Sequence, residues 1–222
     1  MGKHIELTAG DDFKLDAYVA EPVAPAHAGM VVLQEIFGVN HHIRKVTDHY
    51  AHLGYLAIAP ALFDRARKNV ELKYGEIKSG MGIRAQIALE KTLLDMDAAI
   101  QWLRSQGMVQ VGVVGYCWGG SLAWFANTRL HVEASVSYYG GLIAAAAEEK
   151  NRAAAMFHFG DQDKHILSDQ WEKIRAAHPE FPLFTYHADH GFNCDERPAY
   201  NVEAAHLAQE RTLAFFRANL GA

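Results

Sequence analysis

The spacing of hydrophobic positions changes repeatedly along the chain and divides it into alternating short and long elements. Lys14–Ala20 puts Leu15, Ala17 and Val19 on one face at a period of two, the pattern of a half-buried strand. Residues 30–33 are apolar throughout, as in a strand covered on both faces. After a turn at Phe37-Gly38, Asn40 is placed to cap a helix running to about Leu53. Residues 55–59 form the next buried strand, closed by Pro60. Over residues 86–104, Leu89, Leu93, Met96, Ile100 and Leu103 recur at alternating steps of four and three and mark one helical face. Strands are predicted at 111–114, 132–139, 154–159 and 183–187, with helical patterns at 121–127, 171–177 and 202–218. Residues 144–147, all alanine, read as a helix start or a surface turn, and residues 63–83 as a polar, weakly periodic insertion that could be a lid or a surface excursion. Strands alternating with helices predict a mostly parallel sheet with helices on both faces. With no linker, repeat or charge run, the 222 residues are expected to form a single α/β domain spanning 1–222.

Composition narrows the partners. The chain has 21 Lys plus Arg against 26 Asp plus Glu, a net charge of -5. Such a balance gives no electrostatic footprint for nucleic acid or for an anionic membrane surface. No stretch approaches the roughly 18 consecutive apolar residues of a spanning helix. Two cysteines, Cys117 and Cys194, are no disulfide framework. A cytoplasmic protein, monomeric or a small homo-oligomer, acting on a small molecule is the expectation.

Candidate chemistry centres on Gly115-Tyr116-Cys117-Trp118-Gly119-Gly120. This run follows the predicted strand 111–114 directly and precedes a helical pattern. A nucleophile held on a sharp strand-to-helix turn needs small residues two before and two after it, and Gly115 and Gly119 are those residues. A thiolate there would face a helix N-terminus, which favours the ionised form. The alternative for Cys117 is a buried structural cysteine in a glycine-rich turn.

A nucleophile of this kind needs a base and an orienting acid, which follow it in the order acid, then histidine. Either Asp161 or Asp163, just after the strand 154–159, could be the acid. Asp163 is preferred because Gly160-Asp161 reads as the turn itself. Among 13 histidines, His190 sits past a strand end and before Gly191, on a loop from which it can reach across the sheet top. His187 is its rival but is expected inside the strand, while His49, His52 and His206 lie in helical patterns and are expected at the surface. An oxyanion hole would use the N–H of Trp118, after the nucleophile, and that of Ile36, in the loop after residues 30–33. Glu35 ends an apolar strand, where a carboxylate is costly unless it is functional or paired with a nearby arginine.

Gln34-Glu35-Ile36-Phe37-Gly38-Val39-Asn40, Gly54-Tyr55 through Ala59-Pro60 and Leu62, Gly115 to Gly120, Tyr138-Tyr139-Gly140, Gly160 to Asp163 and His190-Gly191-Phe192 together resemble the dienelactone hydrolase family, in family order over nearly the whole chain. The resemblance implies an α/β-hydrolase fold and hydrolysis of a small ester or lactone. It implies Cys117 as nucleophile, His190 as base, Asp163 as orienting acid and Glu35 as a group that contacts the resting thiol and helps activate it. Phe37, Arg84, Tyr139, Cys194 and Arg197 are the expected substrate contacts. No metal or organic cofactor is implied. The chain departs from the family at Cys194, four residues after His190, where an arginine that holds a substrate carboxylate is expected. Arg197 lies three further on. For a second arginine, Arg84 and Lys73 are the candidates. The missing arginine leads to the expectation that neutral esters and lactones are preferred, or that the substrate is another ester or a thioester. Two unrelated readings are a thiol redox switch between Cys117 and Cys194 and a metal site built on His41, His42, His158 and His165. The completeness of the triad order disfavours the first, and the lack of ligand spacing with supporting carboxylates disfavours the second.

Overall fold

The computed structural model describes residues 2–221. Eight strands form one sheet: β1 (Lys3–Thr8), β2 (Lys14–Ala20), β3 (Ala28–Leu33), β4 (Tyr55–Pro60), β5 (Val111–Tyr116), β6 (Ala134–Tyr138), β7 (Ala154–Gly160) and β8 (Leu183–Tyr186). Their spatial order is β1-β2-β4-β3-β5-β6-β7-β8. β1 pairs antiparallel with β2, and β2 antiparallel with β4, while all later pairings are parallel. The helices are α1 (His41–His52), α2 (Ile77–Arg84), α3 (Leu89–Ser105), α4 (Trp118–Arg129), α5 (Ser168–Ala177) and α6 (Val202–Leu220), with a short 3-10 turn at Ile143–Ala146.

β3, β4 and β5 are buried along their whole length, which explains their unbroken apolar composition: helices cover both faces. Neighbouring strand residues point to opposite faces. On β3, Gly29 lies against Leu103 of α3, whereas Met30, one residue on, lies beside Gly112 where Phe216 and Leu220 of α6 pack. α1 joins α6, with the rings of Tyr50 and Phe216 centred 6.3 Å apart. On the other face Trp124 of α4 meets His178, just past α5, at 4.8 Å. Asn40 caps α1 as expected, its side chain accepting from the Ile43 N–H at 3.1 Å.

Several boundaries move. The N-terminal segment, in which charged and apolar residues alternate, is an antiparallel edge strand that the sequence reading did not assign. α3 begins at Leu89 rather than residue 86, and α4 already at Trp118. β6 stops at Tyr138, so Tyr139 leaves the sheet with φ +41°. β8 stops at Tyr186, so His187 lies outside the strand in which it was expected, exposed and 3.3 Å from Asp161. Residues 63–83 hold α2 and are no free excursion. The Leu72 N–H donates to the Phe37 carbonyl at 2.9 Å, and Arg65 bonds the fully buried Asp95 at 2.7 Å as well as Asp11.

Strand order reverses at the centre. From β3 the chain moves outward to β4, then returns to the other side of β3 as β5. The carboxyl ends of β3 and β5 therefore diverge around a crevice, the position at which open α/β sheets bind ligands. Glu35 and Ile36 leave one of these ends and Cys117 the other.

Candidate active site

Cys117 lies between β5 and α4 with φ +56° and ψ -114°, a conformation that L-residues rarely adopt. Backbone bonds pin it there. Its N–H donates to the Tyr138 carbonyl at 3.0 Å, and that of Gly119 to the Gln34 carbonyl at 3.0 Å. The two glycines are a steric requirement. A Cβ on Gly115 would lie 1.9 Å from the Gly119 carbonyl oxygen, and one on Gly119 would lie 2.3 Å from that of Leu33. Backbone strain at a partly exposed cysteine, held by close packing on both sides, is of the kind that clusters at functional sites.

His190 follows β8 on the next loop. Its Nδ1 donates to Asp163 Oδ2 at 2.7 Å. The other oxygen of Asp163 accepts the N–H groups of His165 at 2.7 Å and Ile166 at 3.2 Å, which fixes the carboxylate in its turn. Burial would raise the Asp163 carboxyl, but His190 and these two amides outweigh it and hold the group below its ordinary value. For His190, burial opposes the charge, while Asp163 and the neighbouring Cys117 together push the imidazole up to about 10. Asp161, the other acid considered, is exposed.

Glu35 is 1% exposed and pairs with Arg197, whose guanidinium donates to Oε1 at 2.9 Å. Oε2 has no hydrogen-bond partner. The arginine-paired reading of Glu35 is thus the one its contacts match, and no direct bond to the Cys117 thiol accompanies it. Gly191, at φ +85°, makes the pairing possible: a Cβ there would lie 2.4 Å from the Arg197 guanidinium. The glycine after His190 was a signal for Arg197 that spacing alone did not reveal. Tyr139 packs its ring 5.1 Å from that of His190, and its buried hydroxyl is also without a partner.

A cavity of about 330 Å³ opens over Cys117. Phe37, Arg84, Tyr139 and Arg197 of the expected contacts line it, as do Ile36, Trp118 and His190. The Ile36 N–H bonds no backbone carbonyl among the described residues, and that of Trp118 belongs to the first turn of α4, where amides lack helical acceptors. Cys194 departs from expectation. It is fully buried, does not line the cavity, and its thiol is pushed up to about 12, mainly by burial and then by the charge of Glu35. Both cysteines are free, and a thiol so reluctant to ionise is a poor redox partner. Lys73 is exposed and away from the cavity, whereas Ile77 and Met81 of α2, which no periodicity singled out, line it. The four histidines of the metal reading do not gather as one set: His158 is locked between Tyr186 and Thr212 in the core, and His165 stands at the cavity beside His190. His41 meets Glu196, while His42 lies with Asp195 and Glu196 in a group whose ligand atoms fall within 4.8 Å of one another.

A sheet with this switch point and a strained cysteine elbow defines the α/β-hydrolase class. The model of the dienelactone hydrolase family matches residues 15–220, and the chain belongs to that family of carboxylic ester hydrolases. It is 34% identical to a "Putative carboxymethylenebutenolidase" of Synechocystis, over 94% of each chain. A protein of the same name from Azospirillum brasilense is also 34% identical, over 98% of this chain and 99% of the relative. Among solved structures, a "Putative Dienelactone Hydrolase" from Klebsiella pneumoniae superposes with a TM-score of 0.86 at 28% identity, covering 97% of this chain and 98% of its own.

Proposed function

We propose that this single catalytic unit hydrolyses a small ester or lactone through a thioester acyl-enzyme on Cys117, with His190 as base and Asp163 as its orienting acid. The observation that carries the reading is the strained Cys117 at the floor of the cavity, facing a His190 held by Asp163 at 2.7 Å.

The proton passes from the Cys117 sulfur to His190, which the fold already favours in its protonated form, and the sulfur attacks the carbonyl carbon. The carbonyl electron pair moves onto oxygen, where the N–H groups of Ile36 and Trp118 stabilise the developing charge. When the intermediate collapses, the alkoxide leaves and takes the proton from His190. Water then attacks the thioester with His190 again as base, releasing the acid and restoring the thiol. A lactone gives acid and alcohol in one molecule. Glu35, held in place by Arg197, relays the one thiol proton from sulfur towards His190 through its unpartnered oxygen. Phe37, Tyr139, Ile77 and Met81 form the walls against which the substrate lies. With both thiols free, a reducing compartment such as the cytoplasm suits the chemistry.

The test is a panel of chromogenic esters, lactones and thioesters. Cys117→Ala is expected to lose about a thousandfold or more in kcat with the fold retained, and His190→Ala about as much, since members of a triad act as a unit. A Cys117→Ala enzyme that kept most of its activity would mean that another group attacks.

A further inference from the structure

We propose that Gly80 is a positioning residue for the oxyanion hole, and that the segment from Asn69 to Arg84 acts as its buttress. The inference rests on the reading of Ile36 as an oxyanion donor. Ile36 lies in an irregular loop between β3 and α1. The Glu35 carbonyl, in the peptide that carries the Ile36 N–H, accepts from Gln34 Nε2 at 3.2 Å. The contacts that hold the peptides after it come from the inserted segment. The Leu72 N–H bonds the Phe37 carbonyl at 2.9 Å, and Gly38 bridges to Glu71. The rings of Phe37 and Tyr74 meet edge-on at 4.8 Å, and Asn40 Nδ2 donates to the Tyr74 hydroxyl at 3.2 Å. The closest approach is at Gly80 of α2. A Cβ there would stand 2.1 Å from the Ile36 carbonyl oxygen and 3.3 Å from the Ile36 Cβ. Backbone thus rests directly on the residue whose N–H is assigned to the oxyanion. Any larger side chain must move the Ile36–Phe37 peptide, and Ile36 with it, or lift α2 away.

Two features of α2 set this contact apart from ordinary close packing. Gly82, in the same helix, has nothing within 4 Å of its would-be Cβ, so glycine is not required by α2 as such. The adjoining stripe of α2 carries Ile77, Met81 and Arg84 to the cavity wall, so one rigid element touches both the substrate space and the oxyanion loop. Hydrogen-bond donors lose their advantage in the transition state when displaced by a fraction of an ångström.

The experiment compares Gly80→Ala with Gly82→Ala, normalising rates to the Cys117 thiol titrated with iodoacetamide. Alkylation forms no oxyanion and so reports the thiol independently of the hole. Gly80→Ala is expected to lower kcat about tenfold to a hundredfold with KM changed less than about twofold. It should weaken an aldehyde inhibitor, which forms a tetrahedral hemithioacetal, in parallel, and leave the alkylation rate unchanged. Gly82→Ala should match wild type in all four. Wild-type kcat and aldehyde affinity in Gly80→Ala, an equal loss in Gly82→Ala, or a loss confined to KM would each overturn the proposal. If Gly80→Ala yields no titratable thiol, Tyr74→Phe, which cuts one tie of the same segment to Asn40, must lower kcat several-fold at an unchanged alkylation rate, and wild-type kcat there overturns it. Activity surviving in Cys117→Ala would sink the underlying reading, whereas an inert Cys117→Ala beside a normal Gly80→Ala sinks only this inference.

Discussion

Glu35 and Arg197 show how much a single buried pair controls. The carboxylate is almost without solvent and the guanidinium side chain only 14% exposed, so each charge is tolerable because of the other. Arg197→Met is expected to destabilise the fold by about 3–5 kcal/mol, the usual cost of stranding one member of a buried pair. Adding Glu35→Gln should restore most of that stability in urea unfolding yet leave acylation slow in single-turnover measurements. If the double variant acylated at the wild-type rate, the pair would be structural only. His190 adds a pH dependence whose sign follows from its shift. The fold raises the imidazole from 6.5 to about 10, so the native state prefers the protonated ring. Its contribution to stability is complete below about pH 6.5 and fades as pH climbs through about 10. The stability advantage of wild type over His190→Gln should therefore shrink between pH 6.5 and 10. An advantage that grew over this range would contradict the Asp163 and Cys117 contacts as its cause.

At the scale of elements, the elbow joins β5 to α4 through three glycines packed on backbone. A Cβ on Gly120 would lie 2.3 Å from the Tyr138 carbonyl oxygen, beside the contacts already described for Gly115 and Gly119. Gly119→Ala should cost more than the approximately 0.5–1 kcal/mol that Ala normally gains over Gly inside a helix, reversing the usual sign. Thermal melts that rise on this substitution would mean the elbow relaxes easily. Such steric demands are why the elbow was legible in the sequence: the chemistry needs glycine at fixed offsets from Cys117. Asp163 and His190 were legible for a related reason, each lying just past a buried strand end. β1 was not, because only Ile5 and Leu7 of its six residues are apolar and most of this edge strand is exposed, which leaves too short an alternation to stand out. α2 was missed because Gly80 and Gly82 break its apolar pattern. Nor could linear spacing tell which of Cys194 and Arg197 turns inward. That choice depends on a contact with Glu35, 162 residues away, and on room left by Gly191.

Over the whole molecule the net charge is -5, yet the cavity carries positive charge. Arg197 is offset by Glu35, but Arg84 has no carboxylate within ion-pair distance among the described residues. The expectation of a preference for neutral substrates rested on Cys194 replacing an arginine at the wall. Cys194 instead lies behind the wall, and Arg197 approaches the cavity from three residues further on. With one uncompensated cation beside apolar Ile77, Met81 and Leu142, a small ester bearing a carboxylate should be favoured over its neutral methyl ester. Because Arg84 is partly exposed, the preference should be modest, about fivefold to tenfold in kcat/KM at low salt. It should narrow as salt rises, since screening reaches a half-exposed charge more readily than a buried pair. Arg84→Gln should remove it while leaving the neutral ester little changed. A preference that persisted in Arg84→Gln and disappeared in Arg197→Gln would assign the carboxylate to Arg197 instead, with Glu35 released to act on the thiol as the substrate binds.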